Sequence, residues 1–285
     1  MDSDYRCPVR GKVGLVACSD PLKAQYRDQD QQLKDLLGTM GLKTVESPVM
    51  YDRAVTYDAK AVALMNMYLN PDVEAIFDIS GGNLALGVLE HLDYDAIARC
   101  YKPLWGYSDL TTVINGIYAK TGMPSVLYQV KNAIWDSSGT QRHRLSQAIS
   151  AEGDELFRVS WRMLQGREID GVLIGGNLRC LLKLSGTEFM PRMTDKVLLL
   201  ESRGGTEEQL RSMLTQMRIQ GAFGEIKGLV LGTFTEADRT MGREAVLDMV
   251  LGEVDNPDLP VAATEDVGHS PLSRAIWIGK PICIG

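Results

Sequence analysis

Apolar and amphipathic segments alternate along the first half of the chain. Short apolar runs typical of buried strands occupy residues 13–18, 43–49, 75–79, 104–107 and 124–130. Segments with helical spacing of apolar residues occupy residues 19–41, 59–69, 84–92 and 109–120. Strands that alternate with helices of this length are typical of a mainly parallel sheet with helices on both faces.

The second half repeats this rhythm after an interruption. Residues 131–144 are polar and lack a clear period, so we interpret them as a linker or an exposed loop. Residues 145–165 are partly helical. Strands are then predicted at 172–174, 197–200, 229–234, 260–264 and 276–278, and helices at 178–184, 207–220 and 243–251. We place a domain boundary near Gly166, which gives an α/β domain over residues 1–165 and a second over 166–285.

One joint between strand and helix has the outline of a nucleophile elbow. An apolar run ends at Gly106 and Tyr107, Ser108 follows, and a helical pattern begins. The glycine permits a tight turn, and the helix start presents free N–H groups beside the serine. However, Leu110 stands where the α/β-hydrolase motif has a second glycine, and a serine before a helix is most often an N-cap. This stretch alone leaves both interpretations open.

A serine nucleophile needs a base, and a carboxylate that orients the base. Of the three histidines, His269 lies in a loop flanked by glycine and proline after an apolar strand, which favours a catalytic role. His91 ends a helix and His143 lies between two arginines, so both are expected at the surface. Glu201 ends a strand of four apolar residues, where a carboxylate is usually half-exposed and without function.

Composition and charge narrow the class of protein. The chain has 285 residues and a net charge of −7, which argues against a nucleic-acid or anionic-membrane partner. The five cysteines form no C-x-x-C pair, so neither a zinc site nor a disulfide framework is indicated. No glycine-rich nucleotide fingerprint follows the first strand. We expect no metal and no cofactor, and a nucleotide-dependent α/β enzyme is disfavoured.

The expected location is the cytoplasm. Residues 1–10 are polar, and the first apolar run is too short for the core of a signal sequence. No segment approaches the ~20 consecutive apolar residues that a membrane helix needs.

Several segments, in the right order, together resemble the LD-carboxypeptidase and microcin C self-immunity peptidase family. They are residues 106–111 (GYSDLT) with the serine, 174–178 (IGGNL), 186–187 and 199–201 (LLE) with the glutamate, 228–232 (GLVLG), and 268–269 with 278–279 around the histidine. The resemblance covers residues 11–279. It implies a flavodoxin-like N-terminal domain, a smaller β-rich α/β C-terminal domain, and a homodimer.

The resemblance also implies roles for individual residues. Ser108 would be the nucleophile, His269 the base and Glu201 its orienter, with the last two in the second domain. The double-glycine turn, at Gly81 or Gly82, would supply oxyanion donors.

The N–H of Asp109 would be the partner donor in that oxyanion hole. This agrees with the residue pattern, because both turns end predicted strands and direct backbone N–H groups at one crevice.

Two substrates are open within this resemblance. The carboxypeptidases release the terminal D-alanine of murein tetrapeptides at an L,D bond during cell-wall recycling, and this is the main expectation. The immunity enzymes cleave aminoacyl-nucleotide amides, and a non-catalytic binding homologue is a further alternative. Ser80 stands where the family often has arginine, which leaves the substrate open. Arg179 and Arg203 are candidates for the cation that binds the substrate.

Trp135 is the tryptophan that core packing does not explain, because it lies in the polar residues 131–144. An exposed indole there would suit stacking on a substrate ring or sugar face. A partner subunit that covers the indole is an equally good explanation.

Overall fold

The computed structural model describes residues 7–285 and contains two six-stranded sheets with helices packed on them. The predicted α/β class is confirmed. Residues 1–6, part of the polar N-terminus, lie outside the described residues. No helix among residues 7–285 has both the length and the apolar character needed to cross a membrane.

The first sheet has a flavodoxin-like order. Its parallel strands are β1 (Lys12–Val16), β2 (Lys43–Glu46), β3 (Val73–Asp78), β4 (Leu104–Gly106) and β5 (Ser125–Leu127). They lie in the order β2-β1-β3-β4-β5, as in flavodoxin-type sheets. The strand β11 (Ile276–Ile278), which comes near the end of the chain, pairs antiparallel with β5.

The helices of the first half are α1 (Arg27–Thr39), α2 (Tyr57–Leu69), α3 (Tyr94–Arg99), α4 (Thr111–Thr121), α5 (Asn132–Trp135) and α6 (Thr140–Ser150). Shorter 3-10 helices span Ala24–Tyr26, Ala85–His91, Ser108–Leu110 and Glu155–Phe157. The helix predicted from residue 19 begins at Ala24 instead. Ser19 does not cap it, because the Ser19 hydroxyl donates to the carboxylate of Asp109.

The second sheet has the order β12-β7-β8-β9-β10-β6. Its strands are β6 (Arg162–Gln165), β7 (Ile169–Asn177), β8 (Lys196–Ser202), β9 (Gly228–Phe234), β10 (Val261–Ala263) and β12 (Pro281–Ile284). The four central strands are parallel, and the two edge strands run antiparallel to their neighbours. The helices are α7 (Leu178–Leu182), α8 (Glu207–Ile219), α9 (Ala222–Glu225), α10 (Thr235–Met241) and α11 (Arg243–Val254).

The chain crosses between the sheets on both sides of the predicted boundary at Gly166. Strand β6 precedes that residue but pairs with β10, and β11 follows it but pairs with β5. The division into residues 1–165 and 166–285 stays a prediction. The crossing strands make the two halves interdependent.

Hydrogen bonds join the two halves beside α4. The Asn115 side chain on α4 donates to Gly175 O at 2.9 Å and accepts from Gly175 N at 2.8 Å. Apolar residues of α4 and of β7, such as Ile114 and Leu173, belong to one buried cluster. The contact between α4 and the end of β7 is therefore part of the core.

The prediction that residues 131–144 form a linker or exposed loop was wrong. They form α5 and the start of α6, and Asp136 and Gln141 are buried. The Gln141 amide donates to Ser273 O at 2.7 Å and accepts from the Tyr128 hydroxyl at 3.3 Å. Polar side chains that are buried and hydrogen-bonded leave no apolar period in the sequence, so this segment looks like an exposed loop.

We expect Gln141→Leu to destabilise the protein by about 1–3 kcal/mol, because it leaves Ser273 O and the Tyr128 hydroxyl buried without this partner. The measurement is urea unfolding followed by circular dichroism. Arg142→Gln, at the exposed neighbouring position, is the control and should stay within about 0.5 kcal/mol of wild type. Equal stability of the two variants would contradict a structural role for this segment.

Candidate active site

Ser108 lies at a sharp turn between β4 and α4. Its φ of 57° is in the left-handed region, which costs a residue other than glycine roughly 1–3 kcal/mol. A Cβ atom on Gly106 would lie 2.7 Å from Leu110 Cβ. Glycine is therefore required at 106 because the leucine closes over the strand end. The strand–turn–helix shape matches the predicted elbow, although the helix begins as a 3-10 turn at Ser108.

Glu201 and His269 form a hydrogen-bonded pair. His269 Nδ1 lies 2.8 Å from Glu201 Oε2. The Glu201 side chain is fully buried and that of His269 is 12% exposed. The half-exposed position expected for a strand-end carboxylate is therefore not observed. A carboxylate on Nδ1 leaves Nε2 as the ring nitrogen that can accept a proton.

Neighbouring strands hold Glu201 in place. Asn177 ends β7 directly beside Glu201 on β8, and its Nδ2 donates to Glu201 Oε1 at 3.0 Å. A Cβ on Gly232 of β9 would lie 2.9 Å from Glu201 Cβ, so glycine makes room for the carboxylate from the other side. Both Glu201 oxygens thus have partners, which compensates for burial of the charge.

The histidine loop packs across the end of β9. Thr233 N donates to Val267 O at 2.8 Å, and Ser273 Oγ donates to Gly268 O at 2.7 Å. A Cβ on Gly268 would lie 1.7 Å from Thr233 Oγ1, so only glycine allows this approach. The loop places His269 against Glu201.

Tyr107 packs edge-on against the imidazole of His269, with ring centroids 4.8 Å apart. Burial raises the pKa of the Tyr107 hydroxyl well above its usual value, and the Glu201 carboxylate raises it further. The phenol is therefore neutral near pH 7. It supports the imidazole without adding a second negative charge beside it.

Ser108 and His269 line the same cavity, of about 410 Å³. His269 Nε2 has no hydrogen-bond partner, so the structure shows no hydrogen bond between it and Ser108 Oγ. A second cavity, of about 800 Å³, also opens at Ser108. Gly82, Ser108 and Arg203 line both cavities. We call the first the histidine lobe and the second the wide lobe of one crevice.

The double-glycine turn lies beside Ser108. Gly81 and Gly82 line the histidine lobe, and Gly82 has a φ of 133°, which favours glycine. The Asp20 carboxyl packs against Gly82, where a Cβ would lie 2.1 Å from Asp20 Cγ. Asn83 N donates to Asp20 Oδ1 at 2.9 Å, which closes the turn.

Residues 79–84 and 174–178 both contain two glycines followed by asparagine and leucine, but the structure gives the two segments different roles. Asn177 does cap α7, since its side chain accepts from Cys180 N at 3.3 Å. Asn83 does not cap the 3-10 helix that follows it, and its side chain accepts from Arg179. Gly175 and Gly176 lie within β7 rather than in a turn.

Asp109 is buried behind the elbow. Its Oδ2 accepts from Ser19 Oγ at 2.7 Å and from Ala85 N at 2.9 Å, and its Oδ1 pairs with Lys183. The side chain is thus an anchor for the surrounding loops. The predicted role of Asp109 as an oxyanion donor belongs to its backbone N–H and not to this side chain.

The three candidate substrate-binding residues line the crevice. Arg179 lines the wide lobe, but its guanidinium donates to Asn83 Oδ1 at 2.8 Å and Gly82 O at 3.3 Å. Arg203 lines both lobes, and the structure shows no ion pair for it within residues 7–285. Trp135 lines the histidine lobe, is 45% exposed, and donates from Nε1 to Gln29 Oε1 at 3.3 Å.

The structure adds residues that the sequence argument missed. The sequence predicted no role in the site for Asn177, Tyr107 or Lys183. The signal available for the contact of Asn177 with Glu201 was its position at the end of the predicted strand that precedes the Glu201 strand. His91 and His143 are exposed, as predicted. Among residues 7–285, no three His, Cys, Asp or Glu side chains cluster closely enough to hold a metal ion.

Comparison with known protein families gives two matches, one in each half of the chain. Residues 13–129 match the model of the LD-carboxypeptidase N-terminal domain, and residues 170–284 match that of the LD-carboxypeptidase C-terminal domain. The microcin C7 self-immunity protein MccF of Escherichia coli is 23% identical in an alignment 312 residues long. The alignment covers 97% of this chain and 91% of that protein.

One further relative and one solved structure agree with this match. The murein tetrapeptide carboxypeptidase of Pseudomonas aeruginosa is 25% identical over 291 residues, covering 96% of this chain and 92% of that one. The solved structure of wild-type MccF in its apo state has a TM-score of 0.85 at 20% identity, over 98% of this chain and 94% of that chain. This likeness confirms the two-part α/β fold.

We expect thiol reagents to leave the buried cysteines unmodified. Burial raises the pKa of Cys180 to about 12, so only about one part in 10⁵ is thiolate at pH 7. Iodoacetamide on the native protein should therefore label the exposed Cys283 first, as read by peptide mass spectrometry. Cys283→Ser should remove that fast label, and rapid native labelling of Cys180 would contradict its burial.

Proposed function

The chain belongs to the LD-carboxypeptidase family, and we propose that it is a serine carboxypeptidase that releases the terminal D-alanine of murein tetrapeptides. The proposal rests above all on the 2.8 Å contact between His269 and Glu201, with His269 and Ser108 on one cavity. We further propose that it acts in the cytoplasm, in cell-wall recycling, as a homodimer on a small peptide, with no nucleic-acid or membrane partner.

In the proposed reaction, Ser108 Oγ attacks the carbonyl carbon of the L,D peptide bond while His269 Nε2 takes the hydroxyl proton. Glu201 orients the imidazole and stabilises its protonated form. The C–N bond then breaks, and His269 returns the proton to the departing amine. Water hydrolyses the resulting ester by the same proton route.

Backbone N–H groups would stabilise the oxyanion that forms during the attack. The candidates are those of Gly81 or Gly82, on the turn after β3, and of Asp109, on the turn after β4. Ser108 Oγ and His269 Nε2, which are not hydrogen-bonded in the structure, must come within hydrogen-bonding distance for proton transfer. Such catalytic hydrogen bonds are commonly long or unmade without substrate.

The crevice suits a substrate that is cut at Ser108. The histidine lobe, of about 410 Å³, is large enough for a small leaving residue, and the wide lobe, of about 800 Å³, for the rest of a stem peptide. Arg203, between the lobes, is the better candidate for the substrate carboxylate, because Arg179 already binds Gly82 and Asn83. Ser80 is buried and bonded to Asp78, so it does not replace an arginine as a ligand.

A second candidate is cleavage of aminoacyl-nucleotide amides, and one solved structure of MccF is a complex with aspartyl sulfamoyl adenosine. Trp135 in the histidine lobe favours it, because an exposed indole suits stacking on a base. A non-catalytic homologue with the same crevice is the remaining alternative.

Ser108→Ala should lower turnover by about 10⁴-fold or more while the protein stays folded, because the triad acts as a unit. The measurement is D-alanine release from a murein tetrapeptide, with circular dichroism as the control for folding. Chelators should leave wild-type activity unchanged. Near-normal turnover of Ser108→Ala would overturn the proposed mechanism.

Mass spectrometry of products discriminates between the two substrates. The wild-type enzyme is offered the murein tetrapeptide and an aminoacyl sulfamoyl adenosine separately. Release of D-alanine alone supports the carboxypeptidase, and cleavage of the second compound alone supports the immunity-type peptidase. Cleavage of neither, with no difference from Ser108→Ala, supports the non-catalytic alternative.

For a substrate with a base or sugar ring, Trp135→Ala should raise KM about ten-fold or more with little change in stability, because stacking on a ring contributes about 1–3 kcal/mol. Trp135→Phe, which keeps an aromatic ring, is the matched control and should retain most of the affinity. Steady-state kinetics and size-exclusion chromatography are measured together. An unchanged KM with a weakened dimer would show that Trp135 is an interface residue instead.

A further inference from the structure

Lys183 bridges the two segments that carry the proposed oxyanion donors. Its Nζ pairs with Asp109 Oδ1 and donates to Asn83 O at 3.0 Å. Asp109 directly follows the nucleophile, and Asn83 directly follows Gly82. We propose that Lys183 is a positioning residue that fixes the distance between these two turns. This inference rests on the proposed function.

The ion pair is the charged part of a buried network. Asp109 is fully buried, and the Lys183 side chain is 19% exposed. Ser19 Oγ and Ala85 N bind the other carboxylate oxygen, so Lys183 is the counter-ion that Oδ1 contacts. A buried carboxylate that loses its cation reorganises or takes up a proton. We infer that either change would disturb the backbone of the elbow, because Asp109 directly follows Ser108.

The rest of α7 acts on the same turns. Arg179, one helical turn before Lys183, binds Gly82 O and Asn83 Oδ1. Asn177, which caps α7, donates from Nδ2 to Glu201 Oε1 at 3.0 Å, and its backbone N–H donates to Thr111 Oγ1 at 3.0 Å. One short segment of the second half thus reaches the glutamate, the double-glycine turn and the elbow.

Lys183 lines neither lobe of the crevice, so it does not belong to the surface that a substrate would contact. Its effect must pass through Asp109 and Asn83. Oxyanion donors stabilise charge that is present only in the transition state, and they must be held within about 0.5 Å of the productive geometry. Loss of Lys183 should therefore lower kcat and leave KM nearly unchanged.

The experiment compares Lys183→Met, Lys183→Arg and Asp109→Asn, with the double variant Lys183→Met/Asp109→Asn to complete a cycle. Activity is expressed per active site, counted by titration with a fluorophosphonate, so that unfolded protein does not enter kcat. Lys12→Met is the control, because Lys12 forms an exposed ion pair with Asp72 away from the crevice. Lys183→Gln, which keeps a donor, replaces Lys183→Met if the latter does not fold.

We expect kcat to fall 10- to 100-fold in Lys183→Met, while KM stays within about two-fold of wild type. This fall in kcat is smaller than the one expected from the loss of a whole oxyanion donor. Lys183→Arg should keep at least ten times the kcat of Lys183→Met. The double variant should be no slower than the slower single variant, because both remove one contact.

A wild-type kcat per titrated site in Lys183→Met would overturn the inference, as would a rise in KM with kcat unchanged. Both results leave the proposed function standing if Ser108→Ala is inactive. An active Ser108→Ala would instead overturn the proposed function itself, so the two failures are distinguishable.

Discussion

The candidate site depends on one seam, where α4 and the elbow of the first half meet the junction of β7 and α7 in the second. Ser108 is supplied from one side of this seam, and Glu201 and His269 from the other. Asn115 exchanges two hydrogen bonds with Gly175 across it, and Asn177 N donates to Thr111. Because these polar groups are buried, each must keep its partner, which holds the two halves in a single register.

A network of buried charged and polar groups lies on the first-half side of this seam. Lys60 is buried and donates to Ser19 O. Burial lowers the pKa of Lys60 and raises the pKa of Asp78. Ser80 is part of this network, since it bonds Asp78 and accepts from Ser19 N at 3.0 Å. Polar contacts of the first half and residues of α7 in the second half thus both hold the double-glycine turn.

The parts of the site that could be predicted from the sequence lie at strand ends. Ser108, Glu201 and the loop of His269 each follow an apolar run, and apolar runs are the strongest local signal of a strand. The α/β class followed from the same runs, whereas the flavodoxin-like order of the first sheet was implied by the family resemblance. Sequence alone also located the turn at Gly81 and Gly82.

What could not be predicted depends on long-range polar contacts. Residues 131–144 look like a linker, because Gln141 is polar and its burial is compensated by a hydrogen bond to Ser273, which is distant in sequence. Strand β12 is short, and it is a strand because it pairs with β7. Lys183 looks like an ordinary surface lysine until the fold brings Asp109 to it. None of these has a local pattern.

The central claim is that Ser108 is a nucleophile activated across this seam by the pair of His269 and Glu201. Its most direct test is reaction of the native protein with a fluorophosphonate, followed by peptide mass spectrometry to locate the adduct. We predict one adduct per chain, on Ser108, formed much more slowly in His269→Ala. An adduct on another residue, or no difference between wild type and His269→Ala, would contradict it.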